Sequence, residues 1–285
     1  MENEEQKWDL IVTPKGNFFK LNLFELWHYR DLIMLLVKRD IVSQYKQTVL
    51  GPIWLIVQPV LSGIFFTIIF GNFAKFNTGE IPYPIFTFSG LTIWYFFATT
   101  FAKTSSVFIT NSSIFGKVYF PRLSVPLSSL ISNSVSFFIQ FGVFVLLLLY
   151  YKFFRNYDFH VNFSLLIFFP PLLLLFGLMG VSIGLLASSL TTKYRDLSFL
   201  LSFGLQFLMY FSSVVFPLGG FNNKIQMLLN LNPLMHMVNF FRSIFLSSPS
   251  PSAFWLVYST LFVLVTLFGS IIVFNRVEKS FMDNI

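Results

Sequence analysis

The chain has 285 residues, 55% of them hydrophobic and only 11% charged, with a formal net charge of +7 and no cysteine. A soluble protein carries roughly 25% charged residues, and so few charges cannot clothe a water-soluble fold of this length, so lipid must replace water around much of the surface. The missing cysteines exclude disulfides, thiolate metal sites and a cysteine nucleophile, and the positive charge reads as membrane topology rather than a nucleic-acid-binding surface.

The N-terminal "MENEEQKWDL" is acidic and has no apolar core, so it is no cleavable signal peptide. Residues 1–51 form a cytoplasmic segment in which 37–49 predicts an amphipathic helix. Val37, Ile41, Val42, Tyr45, Thr48 and Val49 fall on one arc, and Arg39, Asp40, Ser43, Gln44, Lys46 and Gln47 on the other, with Lys38 the exception. Such a helix lies along a membrane surface or against another subunit. Gly51-Pro52 then stops it and allows a sharp turn into the first apolar helix.

Charge-free windows follow at 51–74, 81–102, 123–151, 161–192, 197–223 and 243–275. The shortest, 22 residues, spans about 33 Å as a helix, enough for a hydrocarbon core of roughly 30 Å. The expected fold is therefore an all-α polytopic membrane protein whose domain of six transmembrane helices occupies 52–275. The spans lie near 53–73, 84–102, 127–150, 164–189, 197–216 and 255–275, and a short tail, 276–285, follows. A closed barrel would need alternating runs of about ten residues, which are absent.

Lysine and arginine set the orientation. Seven precede Gly51, three lie in 103–122, two in 191–196 and two after Asn275, whereas the opposite side holds only Lys75, Lys152, Arg155, Lys224 and Arg242. That excess puts both termini in the cytoplasm. The cytoplasmic loop "KTSSVFITNSSIFGKVYFPR" (103–122) predicts a short helix over 104–115, opened by Thr104 and ended by Gly116. Residues 218–254 contain apolar stretches near 222–230 and 234–246 separated by "NLNP"; neither is long enough to span, and a re-entrant pair on the outer side fits them.

No G-x-x-x-x-G-K-[ST] loop is present to hold nucleotide phosphates. No Asp, Glu, Lys, Arg or His falls in the expected spans, where ion-coupled carriers place such groups. His28, His160 and His236 are far apart in sequence, and Glu80, Asp158 and Asp196 are isolated and poor candidates for general acid or base. The spans instead carry uncharged polar rows at helical spacing: Trp54, Gln58 and Ser62; Ser129, Asn133, Ser136 and Gln140; Ser198, Ser202, Gln206 and Tyr210. Two readings stand open for these rows. They bond helices together, at about 0.6–2 kcal/mol per contact, or they line a wet conduit that hydrogen-bonds sugars. In "GLMGVSIGLLASS" the row Gly180, Gly184, Ser188 predicts a close-packing seam, and Trp94-Tyr95 and Tyr150-Tyr151 predict interfacial anchors.

The chain resembles the membrane subunit of bacterial type-2 ABC transporters that export polysaccharide, the O-antigen and teichoic-acid exporter permeases. The resemblance rests on "ELWHYRDLIMLLVKRDIVSQYKQTVLGPIWLIVQPVLSGIFFTIIFG", "SGLTIWYFF", "IFGKVYFPRLSVPLSSLISN" and "LNPLMHMVNFFRSIFL", in that order, and the opening "TPKGNFFKLNLFELW" looks most like the O-antigen branch. It implies a homodimer of this chain with two separate ATP-binding subunits, which carry the ATP and Mg while this chain binds no cofactor. It also implies an undecaprenyl-diphosphate-linked glycan as cargo, moved from cytoplasm to periplasm across the bacterial inner membrane. By the same resemblance the first and fifth helices line the passage, which makes Trp54, Gln58, Ser202, Gln206 and Tyr210 candidate channel residues; Ser62, Asn133 and Gln140 are candidates from the polar rows themselves. Arg39, Tyr45 and Lys46 become candidates for the headgroup or subunit interface, although the positive-inside bias alone also accounts for the two cations. The 103–122 loop looks like the segment that couples to the ATPase, with Asn111, Phe115 and Lys117 as candidates, and 218–254 like outer gate helices. The alternatives are an exporter of the same fold for teichoic acid, capsule, drug or peptide, or a membrane glycosyltransferase or acyltransferase, which would need an acid or base near a membrane face.

Overall fold

The computed structural model describes residues 23–46, 51–115, 120–194, 196–217, 222–246 and 248–282. All regular structure among them is helical. Helix α1 (Leu23–His28) leads into α2 (Arg30–Tyr45), and a single 3-10 turn, Gly51–Ile53, opens α3 (Trp54–Phe66). Gly51 sits at φ +49°, a left-handed conformation that costs a residue with a Cβ about 1–2 kcal/mol. The Gly-Pro joint thus divides a surface helix from an apolar one, as its residues require.

Helix α2 begins seven residues before the expected 37–49, and its buried stripe is Ile33, Leu36 and Val37, packed on α7. Val42, assigned to the apolar arc, is exposed. Arg39 and Asp40, assigned to the polar arc, are half-buried, because they pair with each other at 2.8 Å and turn toward the protein.

Among the described residues, five helices are long and apolar enough to cross a membrane: Trp54–Phe73, in which α3 continues as π-helix over Thr67–Phe73, α4 (Tyr83–Ser105), α7 (Ser124–Arg155), α9 (Phe169–Thr191), and α13 (Ala253–Met282) over its portion Ala253–Val277. The expected 197–216 span is shorter in the structure. Helix α10 covers Leu197–Phe211, 15 residues, or about 22 Å. It closes where the Ser212 hydroxyl donates to the Leu208 carbonyl and Ser213 turns into the left-handed region at φ 55°. The expected single helix over 104–115 is instead α4 running on to Ser105, then two one-turn helices, α5 (Val107–Thr110) and α6 (Ser112–Phe115). The breaks fall at Ser106 and Asn111, whose side chains donate back to the carbonyls of Ala102 and Val107, the local competition that favours turns. Lys117 and Gly116 lie outside the described residues. A single turn, α8 (Phe163–Leu166), precedes α9, and two short helices, α11 (Asn223–Leu229) and α12 (Pro233–Phe245), precede α13. Asn232 caps α12 by accepting from the Leu234 N–H at 3.0 Å.

Helix α4 is the centre of the bundle, touching α3, α7, α9, α10 and α12, with most of its residues buried. Its contact with α9 is the expected small-residue seam. A Cβ on Gly180 would meet the Phe97 carbonyl and Thr100, and one on Gly184 would meet Thr104 Cβ at 2.6 Å and the Phe101 carbonyl at 3.1 Å. With lipid outside, close backbone approach of this kind supplies the packing that water would otherwise drive. Trp94, expected at the interface, is buried against Phe97 within this core.

Arg242 was counted by charge alone as an outer-loop residue; it is 1% exposed, inside the bundle. Its Nε donates to Ser89 Oγ at 3.1 Å, Nη1 to the Ser213 carbonyl at 2.7 Å and to Asn239 Oδ1 at 3.3 Å, and Nη2 to the carbonyls of Phe86 and Val214 at 3.0 and 2.9 Å. The guanidinium carbon also lies 3.6 Å from the Phe86 ring centroid. Gly90 makes room for this fan, since a Cβ there would meet the Val214 carbonyl at 2.5 Å. One side chain thus ties the start of α4, the turn after α10, and α12 together through the planar fork that only arginine offers.

Three outcomes follow for stability in detergent. Gly184→Val should destabilise by about 1–3 kcal/mol through overpacking, read as a lower melting temperature by size-exclusion after heating. Arg242→Met removes the donors to the Ser213 and Val214 carbonyls and should cost at least about 3 kcal/mol. Arg242→Lys, with donors but no fork, should lose about half as much in the same assay.

Candidate functional site

Helices α3 and α10 carry the first candidate surface. Trp54 (51% exposed), Gln58, Ser202 and Gln206 all lie uncovered on the surface of the chain. Ser62 is half-buried and accepts from the Tyr95 hydroxyl at 3.0 Å. Tyr210 is half-buried, its ring 6.4 Å from Phe66 of α3 and 6.4 Å from Phe216, nearly parallel to the latter. The two helices thus meet at Phe66 and Tyr210. An amide facing hydrocarbon without a partner costs several kcal/mol, so Gln58 and Gln206 require water or another polypeptide against them.

The row on α7 sits differently. Ser129, Asn133, Ser136 and Gln140 are all buried, and Asn133 Nδ2 donates to Thr100 Oγ1 of α4 at 3.2 Å. The structure does not bring Asn133 and Gln140 to the surface that carries Gln58 and Gln206; it places them in the packing between helices.

At the end where α2 meets the α5–α6 segment, Arg39 Nη2 reaches Asn111 Oδ1 at 3.4 Å while Nε and Nη2 both hold Asp40. A cleft of about 310 Å³ lies here, lined among others by Arg39, Ser43, Lys103 and Asn111. Asn111 and Phe115 face inward: Phe115 is 2% exposed, packed on Phe108 and Phe120 beneath the Arg122 guanidinium. The outward face of this segment is Ile109, Thr110 and Ser113, which sequence reasoning passed over because none of them is charged or strongly polar. Lys46 is exposed, and the side chain of Tyr45 lies outside the described residues.

The opposite end holds a cavity of about 880 Å³. Its walls are the 78–81 turn, the 157–160 loop, α12 and the start of α13, and they include Glu80, Tyr157, Asp158, His160, Asn239 and Trp255. Glu80, Asp158, His160 and His236 were isolated in the sequence; the fold gathers them around one space. Two contacts build this end: the Asn162 N–H donates to the Ile244 carbonyl at 2.9 Å, tying the loop to α12, and His236 stacks on Trp255 with ring centroids 4.6 Å apart. His236 Nε2 lies 2.8 Å from the Asn230 carbonyl, and burial pushes the imidazole pKa below its ordinary value. Asp196 stands apart, at the start of α10. No group of three or more metal-ligating side chains occurs among the described residues. The signal for this convergence was the charge topology, which had already assigned 75–80, 152–160 and 217–254 to one side of the membrane without giving their distances.

The family model described as ABC-2 type transporter matches residues 31–246. The chain is similar to an O-antigen export system permease protein RfbA of Klebsiella pneumoniae, 24% identical over 270 residues that cover 91% of this chain and 97% of the relative. RfbA of Myxococcus xanthus is also 24% identical, over 92% and 98% of the two chains. The polysialic acid transport protein KpsM of Escherichia coli is 24% identical over 86% and 93%. The match spans α2 through α12, the helices that carry both the exposed polar rows and most of the walls of the larger cavity described above, and the chain belongs to the ABC-2 type transporter membrane family.

Proposed function

We propose that this chain is the membrane half of a polysaccharide exporter, moving an O-antigen-like glycan on undecaprenyl diphosphate from cytoplasm to periplasm. Two copies pack about a two-fold axis in the bacterial inner membrane, and two separate ATP-binding subunits, carrying ATP and Mg, dock on the cytoplasmic side. The observation that carries this reading is the uncharged polar surface of α3 and α10, left uncovered by the chain's own fold. A second copy placed against it closes a conduit lined by Trp54, Gln58, Ser202 and Gln206, an isologous arrangement in which each copy supplies the same wall. The whole-length similarity to O-antigen permeases supports the cargo.

The physical logic is one of barrier and direction. An ionised diphosphate and a hydrated sugar chain face a prohibitive cost in hydrocarbon. Hydroxyl, amide and aromatic walls lower that cost without fixed charges that would trap the cargo. Direction comes from the ATPase, which favours different dimer conformations with and without nucleotide. On this reading both termini are cytoplasmic and α10 completes a sixth crossing together with the residues after it. Helices α11 and α12 form a re-entrant outer pair, and Ile109, Thr110 and Ser113 form the docking face. Arg39, held by Asp40 and Asn111, acts within the coupling region, while exposed Lys46 is the cation positioned for a headgroup, at about 1 kcal/mol.

Deleting the gene should leave undecaprenyl-linked polymer on the cytoplasmic side and strip it from the cell surface; normal surface polymer overturns the reading. In the complemented strain, Gln206→Arg should lower export on the order of tenfold, about 1.4 kcal/mol in barrier, at unchanged membrane levels, while Gln206→Asn keeps most of it.

A further inference from the structure

We propose that the outer cavity is a saccharide subsite that accepts neutral or amino-bearing sugar units and rejects acidic ones. The inference rests on the export reading above and adds a place and a specificity to it. Three observations converge. The cavity, about 880 Å³, lies within the roughly 300–1,000 Å³ of small-molecule sites, room for an oligosaccharide of a few units. Its lining is mixed in the way sugars require: the half-buried Trp255 supplies an aromatic surface, held by His236 stacked 4.6 Å away, and Asn239, Tyr157, Glu80 and Asp158 supply amide, phenol and carboxylate groups for hydroxyls.

The third observation is the charge balance. Glu80 and Asp158 are exposed carboxylates on the wall. The cation at the back, Arg242, is already committed to Ser89, Asn239 and the carbonyls of Phe86, Ser213 and Val214, which occupy its fork. His236 is held to the Asn230 carbonyl, and burial lowers its pKa, disfavouring the charged imidazolium. His160 completes the ionisable lining. Two exposed carboxylates thus stand against one buried cation, and the balance offered to a ligand is negative. Vicinal hydroxyls and ammonium groups are good partners for carboxylates, whereas the carboxylate of a uronic or sialic acid meets like charge, which costs more in a cavity than in open water. Specificity here is the repulsive element rather than the attractive one.

The test uses the purified full-length chain in lipid nanodiscs, with cellotetraose, glucosamine tetramer and tetragalacturonate as probes, read by saturation-transfer difference NMR. Cellotetraose and the glucosamine tetramer should bind, and tetragalacturonate about tenfold more weakly. The exposed pair Glu80→Gln with Asp158→Asn, which leaves the bundle intact, should bring tetragalacturonate to parity with cellotetraose and weaken the glucosamine tetramer. Trp255→Ala should weaken all three. No binding of any probe to the wild type, equal binding of tetragalacturonate, or no effect of the double substitution overturns the subsite. If gene deletion still blocks export while these results fail, the subsite is lost and the export reading stands; binding as expected in a chain dispensable for export does the reverse.

Discussion

A polar group in hydrocarbon has no water to fall back on, and this single constraint organises the chain. Helix α4 meets it inwardly over much of its length: Thr92 bonds the preceding Phe88 carbonyl, and Thr100 receives the Asn133 amide. Helices α3 and α10 meet it only partly, because Trp54, Gln58, Ser202 and Gln206 stay uncovered. The contrast separates the satisfied core from the uncovered polar surface more clearly than hydrophobicity, which is high throughout. The same constraint explains why glycines cluster on α9 where it crosses α4: close backbone contact stands in for the solvent-driven packing that lipid does not provide.

Much of the helical plan was legible in the sequence because charge-free windows of 22 residues or more have few structural options in a membrane. The two short helices on either side of "NLNP" and the α9 seam follow from local chemistry and are present in the structure. The failures have a common cause. Ser106, Asn111 and Ser213 change the path of the chain through side-chain and backbone geometry that hydropathy does not register, so α10 ends early and the 104–115 helix divides.

The candidate sites were legible unevenly. Periodicity located the rows on α3, α7 and α10 but could not say which way each faced; packing against α4 turned the α7 row inward. Arg242 was the largest miss. A lone arginine in a short apolar helix counts as topology until its partners are known, and those partners are main-chain carbonyls, which no residue pattern advertises. The outer cavity was missed for a related reason: four titratable residues spread from 80 to 236 come together only through the tie between the 156–162 loop and α12.

The guanidinium fan of Arg242 also has a mechanical corollary. Because every donor of that fork is engaged, the beginning of α4, the turn behind α10 and the body of α12 form one stiff tile. A rearrangement wide enough to admit a sugar chain on this side would swing the tile as a unit, flexing the chain on either flank of α12 instead of fraying the helix itself.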